Sequence, residues 1–409
     1  MQEYKQLLKN KNFVLYSIGQ AFSQFGDRLV QIVLIGYVYK RWPGSTFQLA
    51  KLFSVTVLPS FIISPIAGVF VDRWDRKKVM VISDLMRAIL VLLVPIFILK
   101  MDNIIPLYAA LFFIFSAACF FLPARFAMIP TLVAKEEILA ANSASSIIWV
   151  LSGIAGFSLG GIIAEWIGLK VSLYANAAVY GLSATSFLVL FYSIKAKNPP
   201  PKPIEKDTFL KDLLVGLKML VVDRNARLVA GLFFTLASLV GLIYVVGVVF
   251  VQETLKSMTK YVGFFGFFLF IGILAGSYGY GRMGRSISRI KSVAMSLALM
   301  GCSILAFSFG LRFTGFIAPS AAAMFFLGFF ISPVYIAANT VIHESIEQRF
   351  GGRIFSSLGI VMNTGFLIFM LISSRLAENI DKLVILAFCG FAFIAVGIGS
   401  LFISSSSSS

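Results

Sequence analysis

Apolar runs of about 20 residues follow one another from one end of the chain to the other, each closed by a short cluster of charged, proline or glycine positions. Runs of that length match a hydrocarbon core crossed as α-helix, and none alternates with the two-residue period of a β-barrel strand. The pattern therefore predicts membrane-spanning helices. Twelve runs are countable: 12–39, 46–71, 79–99, 104–122, 143–163 and 171–194, then 228–251, 261–280, 292–311, 316–338, 354–374 and 383–403. A polar, Pro-rich linker, KAKNPPPKPIEKD, separates the sixth from the seventh. The expected architecture is an all-α membrane protein of 12 transmembrane helices. Two six-helix bundles, 1–194 and 228–403, flank a linker at 195–227, and a Ser-rich tail or cloning scar occupies 404–409. Inside the linker, FLKDLLVGLKMLVVD (Phe209 to Asp223) sets basic residues beside an apolar stripe, which predicts a helix lying on the membrane surface.

Composition agrees. Of 409 residues 59% are apolar and 13% charged, with a mean hydropathy of +0.92, whereas soluble domains run near one quarter charged. The net charge of +17 is spread over short loops rather than gathered in one patch, so it speaks of topology and not of nucleic acid. If both termini are cytoplasmic, the inner segments hold 23 of the 35 Lys and Arg residues, with Arg125 and Lys135 counted in one inner loop, and the outer segments hold 10. Arg28 and Arg87 remain within spans. The first segment, MQEYKQLLKNKN, runs into a span carrying Asp27 and Arg28, which the apolar region of a cleavable signal peptide would not tolerate. That span is expected to be retained.

Several chemistries are set aside. Cys119, Cys302 and Cys389 all lie in apolar runs and none has metal-motif spacing, so they read as small apolar residues. His343 is the only histidine and falls in a predicted cytoplasmic loop, against a histidine metal site or catalytic triad. GYGRMG (Gly279 to Gly284) fits a dinucleotide pattern but follows a membrane span, not a strand, and reads as a turn. No G-x-x-x-x-G-K-[ST] loop is present, which argues against ATP-driven work by this chain alone. The expectation is no enzyme, no metal and no cofactor.

Charge inside the first span needs a different account. Ser17, Gln20, Gln24, Asp27 and Gln31 are spaced three, four, three and four apart, so one helix face carries them. A central charge facing lipid costs about 2.5–3.5 kcal/mol, so this face is expected to look into protein or a watery cavity. Asp27, Arg28, Gln20, Gln24 and Gln31 are the candidate substrate or proton-coupling residues. Arg28 points about 100° away from Asp27, nearer Gln24 and Gln31, and its partner is expected on another span. Asp84 and Arg87, three apart on span three, are expected to pair locally as a structural or gating bridge.

The halves echo each other. Arg73 and Arg76 match Arg282 and Arg285, and Phe120-Phe121 matches Phe329-Phe330, at a common offset of 209, while Pro123 and Pro333 are 210 apart. Such offsets point to duplicated six-helix repeats, a transporter architecture with its site near the midplane.

The loop GVFVDRWDRKKV resembles the major facilitator superfamily signature G-x-x-x-D-R-x-G-R-[RK]-[RK] through Gly68, Asp72, Arg73, Arg76, Lys77 and Lys78, with Asp75 in place of the second glycine. A small Gly68 is expected to let helices approach, and Asp72 with the arginines to latch the cytoplasmic face. GQAFSQFGD, SPIAGVFVDRWDRKKVMVISDLMRA, LPARFAMIPTLV with ILAANS, and GGRIFS further resemble the macrolide-efflux and enterobactin-exporter-like branch of that superfamily. A fifth-span antiporter motif ending G-P-x-x-G-G is matched by GFSLGG, where Gly156, Gly160 and Gly161 keep a helix-packing face and Phe157 replaces proline. The resemblance puts spans one, four, seven and ten around a central cavity, with Phe234, Tyr244, Met324, Phe325 and Tyr335 as candidate walls.

The expected function is proton-coupled antiport export of bulky amphipathic small molecules, drug-like or siderophore-like, by alternating access from a bacterial inner membrane. The expected partners are that substrate, protons or another coupling ion and membrane lipids, with no nucleic acid, on a monomeric protein. A lysophospholipid carrier is the alternative within the class; a non-transporting receptor or scaffold is the alternative outside it.

Overall fold

A computed structural model describes residues 2–71, 73–96, 103–193, 218, 220–222, 224–283, 288–345 and 351–406. The described residues are almost entirely helical, without a strand. In chain order the helices are α1 (Gln2–Lys9), α2 (Lys11–Arg41), α3 (Thr46–Ile62), α4 (Ser64–Val71), α5 (Arg76–Ile96), α6 (Ile105–Leu132) and α7 (Ile138–Trp166). They continue as α8 (Gly168–Ser193), α9 (Arg224–Leu255), α10 (Lys260–Met283), α11 (Arg289–Thr314), α12 (Ile317–Ser345), α13 (Gly351–Leu376) and α14 (Lys382–Ser406). Among the described residues, ten helices are long and apolar enough to cross a membrane. The chain is an integral multi-pass membrane protein.

Local chemistry explains the boundaries. Asn10 caps α2 by accepting from the Asn12 and Phe13 N–H groups at 3.1 Å each. The second apolar run is broken at Ile63: Pro59 lies within α3, and α4 restarts with proline in its first turn, where a missing N–H costs nothing. α11 ends on Gly315 in the left-handed region (φ 65°), open to glycine without strain. The predicted linker helix at 209–223 lies outside the described residues except for scattered positions, as do Asp72 and Arg285. His343 belongs to the backbone of α12 rather than to a loop, and the helix α14 runs to Ser406, into the serine tail.

The fourth run extends ten residues beyond its expected end. α6 passes through Pro123 and Pro130 to Leu132, and Arg125, expected in an inner loop, lies within it at 4% exposure. Among the described residues its Nε and Nη1 have no hydrogen-bond partner, and its guanidinium rests on the Phe126 ring at 4.4 Å. Pro in a membrane helix is tolerated where neighbouring groups take up the freed backbone carbonyls, so Pro123 did not mark a stop. Removing Arg125 leaves 22 basic residues in the inner segments against 10 in the outer, and the charge bias survives.

The chain divides into two compact units, Met1–Tyr37 with Leu52–Glu205, and Val38–Lys51 with Lys206–Ser409. In the first, α5 packs on α6 and α8, α4 packs on α6, and α2 meets α7. In the second, α11 packs on α12 and α14, α10 on α12, and α9 on α13. The same pairings recur at the same places in each set of six, the structural counterpart of the sequence echo. The close approach of α10 to α12 depends on Gly272, Gly276 and Gly328: a methyl group on any of them would overlap the backbone of Phe325, Phe329 or Leu269. Gly272 and Gly276 form a small-x-x-x-small pair, which in lipid supplies van der Waals contact where no hydrophobic force is available.

Candidate functional site

The first unit carries a buried ionic cluster that joins residues the sequence treats as separate. Asp27 Oδ1 accepts from Arg87 Nη1 at 2.8 Å and from the Tyr180 hydroxyl at 2.7 Å. Arg87 Nη2 donates to Ser23 Oγ at 3.0 Å and to Asp84 Oδ1, and Arg87 Nε reaches Ser83 O at 3.4 Å. Asp84 is further held by the hydroxyls of Ser23, at 3.1 Å, and Ser183. The rings of Phe121 and Tyr180 lie 4.7 and 4.9 Å from the Arg87 guanidinium carbon. The expected Asp84 and Arg87 pair is present, and Asp27, placed elsewhere in expectation, completes it.

Burial makes the count of charges matter. Arg87 and Asp84 are fully buried and Asp27 is 21% exposed, so two carboxylates share one guanidinium with only Asp27 open. With both acids ionised the cluster holds one excess negative charge, and one bound proton removes it.

Asp27 opens onto a cavity of about 210 Å³ lined by Gln24, Asp27, Arg28, Gln31, Phe115, Ala118, Phe121, Leu122 and Trp149. Four of the five candidate coupling residues, Gln24, Asp27, Arg28 and Gln31, therefore share this cavity. Gln20 does not: it is fully buried, and its amide is spent on Ser145, donating to the backbone oxygen and accepting from the hydroxyl, both at 2.8 Å. Arg28 Nη1 donates to Gln31 Oε1 at 3.1 Å on its own helix. From α7 come two rings, Trp149 at 5.6 Å and Phe157 at 5.8 Å, so the contact expected on another span is aromatic rather than acidic.

α7 comes close enough for this because of its glycines. A methyl on Gly156 would lie 2.5 Å from Arg28 Cβ and 3.0 Å from Phe25 O, and one on Gly160 would lie 3.0 Å from Leu29 and Ile32. Gly161 is buried on the same helix. Gly68 behaves otherwise: among the described residues nothing lies within 4 Å of where its Cβ would stand, while Ala67 beside it is fully buried.

In the signature loop, Asp75 accepts from the Lys77 N–H at 2.9 Å and so caps α5 in the place of the second glycine. Arg76 Nη1 donates to Ala127 O on α6 at 2.8 Å, Lys77 is buried against the Phe191 ring at 5.0 Å, and Arg73 is exposed.

The second unit has its own cavity, about 240 Å³, lined by Phe233, Leu236, Ala237, Val240, Met300, Ile331, Val334, Tyr335, Met362, Asn363 and Phe366. Of the five expected wall residues only Tyr335 lines it. Phe234 packs on Phe369 and Tyr244 on Phe366, while Phe325 packs on Phe326 and Phe329 and Met324 joins the core. Among the described residues no group of three or more His, Cys, Asp or Glu side chains is placed to hold a metal ion.

Residues 16–369 match the family described as Major Facilitator Superfamily. The chain is 25% identical over 409 residues to the uncharacterized MFS-type transporter YfiS of Bacillus subtilis (strain 168), covering 97% of this chain and 94% of that one. It is 25% identical over 400 residues to macrolide efflux protein A of Streptococcus pyogenes, covering 93% and 92%. In fold it resembles a POT family transporter solved in complex with 5-aminolevulinic acid (TM-score 0.75, 12% identity, 96% of each chain). It also resembles a bacterial homologue of the iron transporter ferroportin in an inward-facing state (TM-score 0.71, 13% identity, 95% and 98%).

Proposed function

The chain belongs to the Major Facilitator Superfamily, and from that premise we propose that this transporter is a proton-coupled exporter of amphipathic small molecules working by alternating access. Its likeness to macrolide efflux protein A supports outward transport of such compounds. Twelve spans, with α2 and the broken α3 and α4 pair added to the ten apolar helices, and cytoplasmic termini are the topology that goes with it, supported by the basic bias of the inner segments.

One observation carries the coupling: a buried cluster of two carboxylates and one guanidinium whose only open member, Asp27, faces a cavity. An ionisable group inside a membrane protein costs enough that it marks a transport or relay function. A proton reaches Asp27 from the cavity, cancels the excess charge and loosens its hold on Arg87, which then leans wholly on Asp84. Helices α2, α5 and α8, which hold Asp27, Arg87 and Tyr180, are thereby set to two arrangements by one proton.

The test is flux in proteoliposomes under an imposed pH gradient, with N-dansyl-phenylalanine, an amphipathic acid, and a lysophospholipid as separate probes. Gradient-driven flux of N-dansyl-phenylalanine that Asp27→Asn abolishes while its binding persists is the expected result. Equal flux in Asp27→Asn sinks the coupling assignment, and flux of the lysophospholipid alone sinks the drug-like substrate class.

A further inference from the structure

Arg28 has no part in the proton cluster, yet it lines the same cavity. Among the described residues no carboxylate pairs with it. Among the described residues it donates a hydrogen bond to Gln31, and its guanidinium is steadied by Trp149 and Phe157. Asp27, the only acid lining the cavity, already accepts from Arg87 and Tyr180 through Oδ1. The cavity thus presents a planar cation with donors to spare, held in place from three sides and flanked by the amides of Gln24 and Gln31.

We propose that Arg28 is the recognition site for a carboxylate on the transported molecule, so that the substrate class is carboxylate-bearing amphipaths. This rests on the transporter assignment and sharpens its substrate side. A guanidinium offers two parallel N–H donors that match the two oxygens of a carboxylate, a match that an ammonium or a neutral amide lacks. Trp149 and Phe157 fix the plane of the fork before ligand arrives, which lowers the ordering cost of binding. Gly156 leaves the room in which the Arg28 stem lies, since a Cβ there would stand 2.5 Å from Arg28 Cβ. Phe115, Phe121 and Leu122 supply the apolar wall for the rest of the molecule. Proton and carboxylate are held by different side chains, and an inside-negative membrane potential favours outward movement of the anion.

The experiment uses the full chain in nanodiscs with Trp42, Trp74 and Trp166 changed to Phe, leaving Trp149 of the four tryptophans as donor for energy transfer. The probes are N-dansyl-phenylalanine and its amide, alike in size and differing in one charge. The acid should bind at least about tenfold tighter than the amide. Arg28→Gln should bring the two within about twofold, Arg28→Lys should keep part of the preference, and Gly156→Ala, which pushes Arg28 from its place, should weaken the acid alone. Equal binding of acid and amide, binding of neither, or a preference that survives Arg28→Gln overturns the proposal. Should Arg28→Gln fail to fold, the acid-to-amide ratio of the unmutated site and Gly156→Ala still decide it. Flux of the same pair under a pH gradient separates the two assignments. Acid-selective binding without flux leaves the carboxylate site standing and removes the exporter; flux without acid preference does the reverse.

Discussion

In the first unit a guanidinium and two carboxylates lie between α2, α5 and α8, whereas in the second the corresponding helices are closed by glycine against backbone, Gly301 on Gly390, and by an edge-to-face pair of phenylalanines, Phe250 and Phe307. Among the described residues the four buried charged side chains, Lys77, Asp84, Arg87 and Arg125, all belong to the first unit. Its cavity is lined by Gln24, Asp27, Arg28 and Gln31, while the second unit's is apolar but for Tyr335 and Asn363. Two repeats with the same pairings have thus diverged in chemistry. One holds a buried ionic cluster, and the other presents an almost wholly apolar cavity. Charge in lipid is costly and directional, whereas glycine contact is neutral and close, so the two units are held together by different forces.

The sharpest way to break this contrast is to unbalance the cluster. Arg87→Met leaves Asp27 and Asp84 facing each other without a cation and should destabilise the first unit by about 3–5 kcal/mol, the usual cost of stranding a buried charge. Melting in nanodiscs measures it. Neutralising all three positions, with Asp27→Asn and Asp84→Asn added to Arg87→Met, should restore most of the melting temperature and leave no gradient-driven flux. If the triple variant melts as early as the single one, the loss is one of packing around the methionine and not of charge.

In the second unit the counterpart is steric. Gly272→Val puts branched carbon into the Phe325 backbone, which cannot turn aside as a side chain can. The loss should be about 1–3 kcal/mol or more, insensitive to pH, and equal in magnitude for Gly328→Val, whose neighbour is the Leu269 backbone. A similar substitution at Gly68, where among the described residues nothing lies within 4 Å, should leave melting unchanged. A destabilised Gly68→Val would show that the superfamily glycine packs in a way the structure does not contain.

How much of this was legible beforehand follows from what each feature depends on. Span lengths and the polar face of α2 are properties of a single helix, and three-four spacing suffices to read them. The Asp27 to Arg87 pair depends on the register between two helices 60 positions apart in sequence, which no local pattern carries. Tyr180 and Ser183 were missed for the same reason, as residues ordinary in a membrane helix until a partner stands opposite. Arg125 was misplaced because Pro123 looks like a stop, although a membrane helix can run through proline. Phe157 reads in sequence as the loss of a proline kink; only with α2 beside it does it become a wall for Arg28. Gly272 and Gly276 carried a readable signal, the small-x-x-x-small spacing, that went unused.

The smallest expected effect sits in the Val38–Lys51 segment, which groups with the second unit and is held there by an acid in water rather than in lipid. Glu378 accepts from the Phe47 N–H at 2.9 Å and from the hydroxyls of Ser45 and Thr46 at 3.0 and 3.2 Å, so it caps the start of α3 from a distant part of the chain. Partial burial works to raise its pKa, but those donors and the nearby Lys382 outweigh it and hold the group below the usual 4.5. A depressed folded value means stabilisation that is complete above the ordinary pKa and lost as pH falls through the lower one. Glu378 is exposed, so the contribution at neutral pH should be under about 1 kcal/mol. Glu378→Gln should melt slightly earlier than the parent at pH 7, and the two curves should converge as pH drops below about 4.5, where the parent carboxylate gains its proton. A gap that stays constant down through that range would mean the contact is held by shape alone, with the charge of Glu378 contributing nothing.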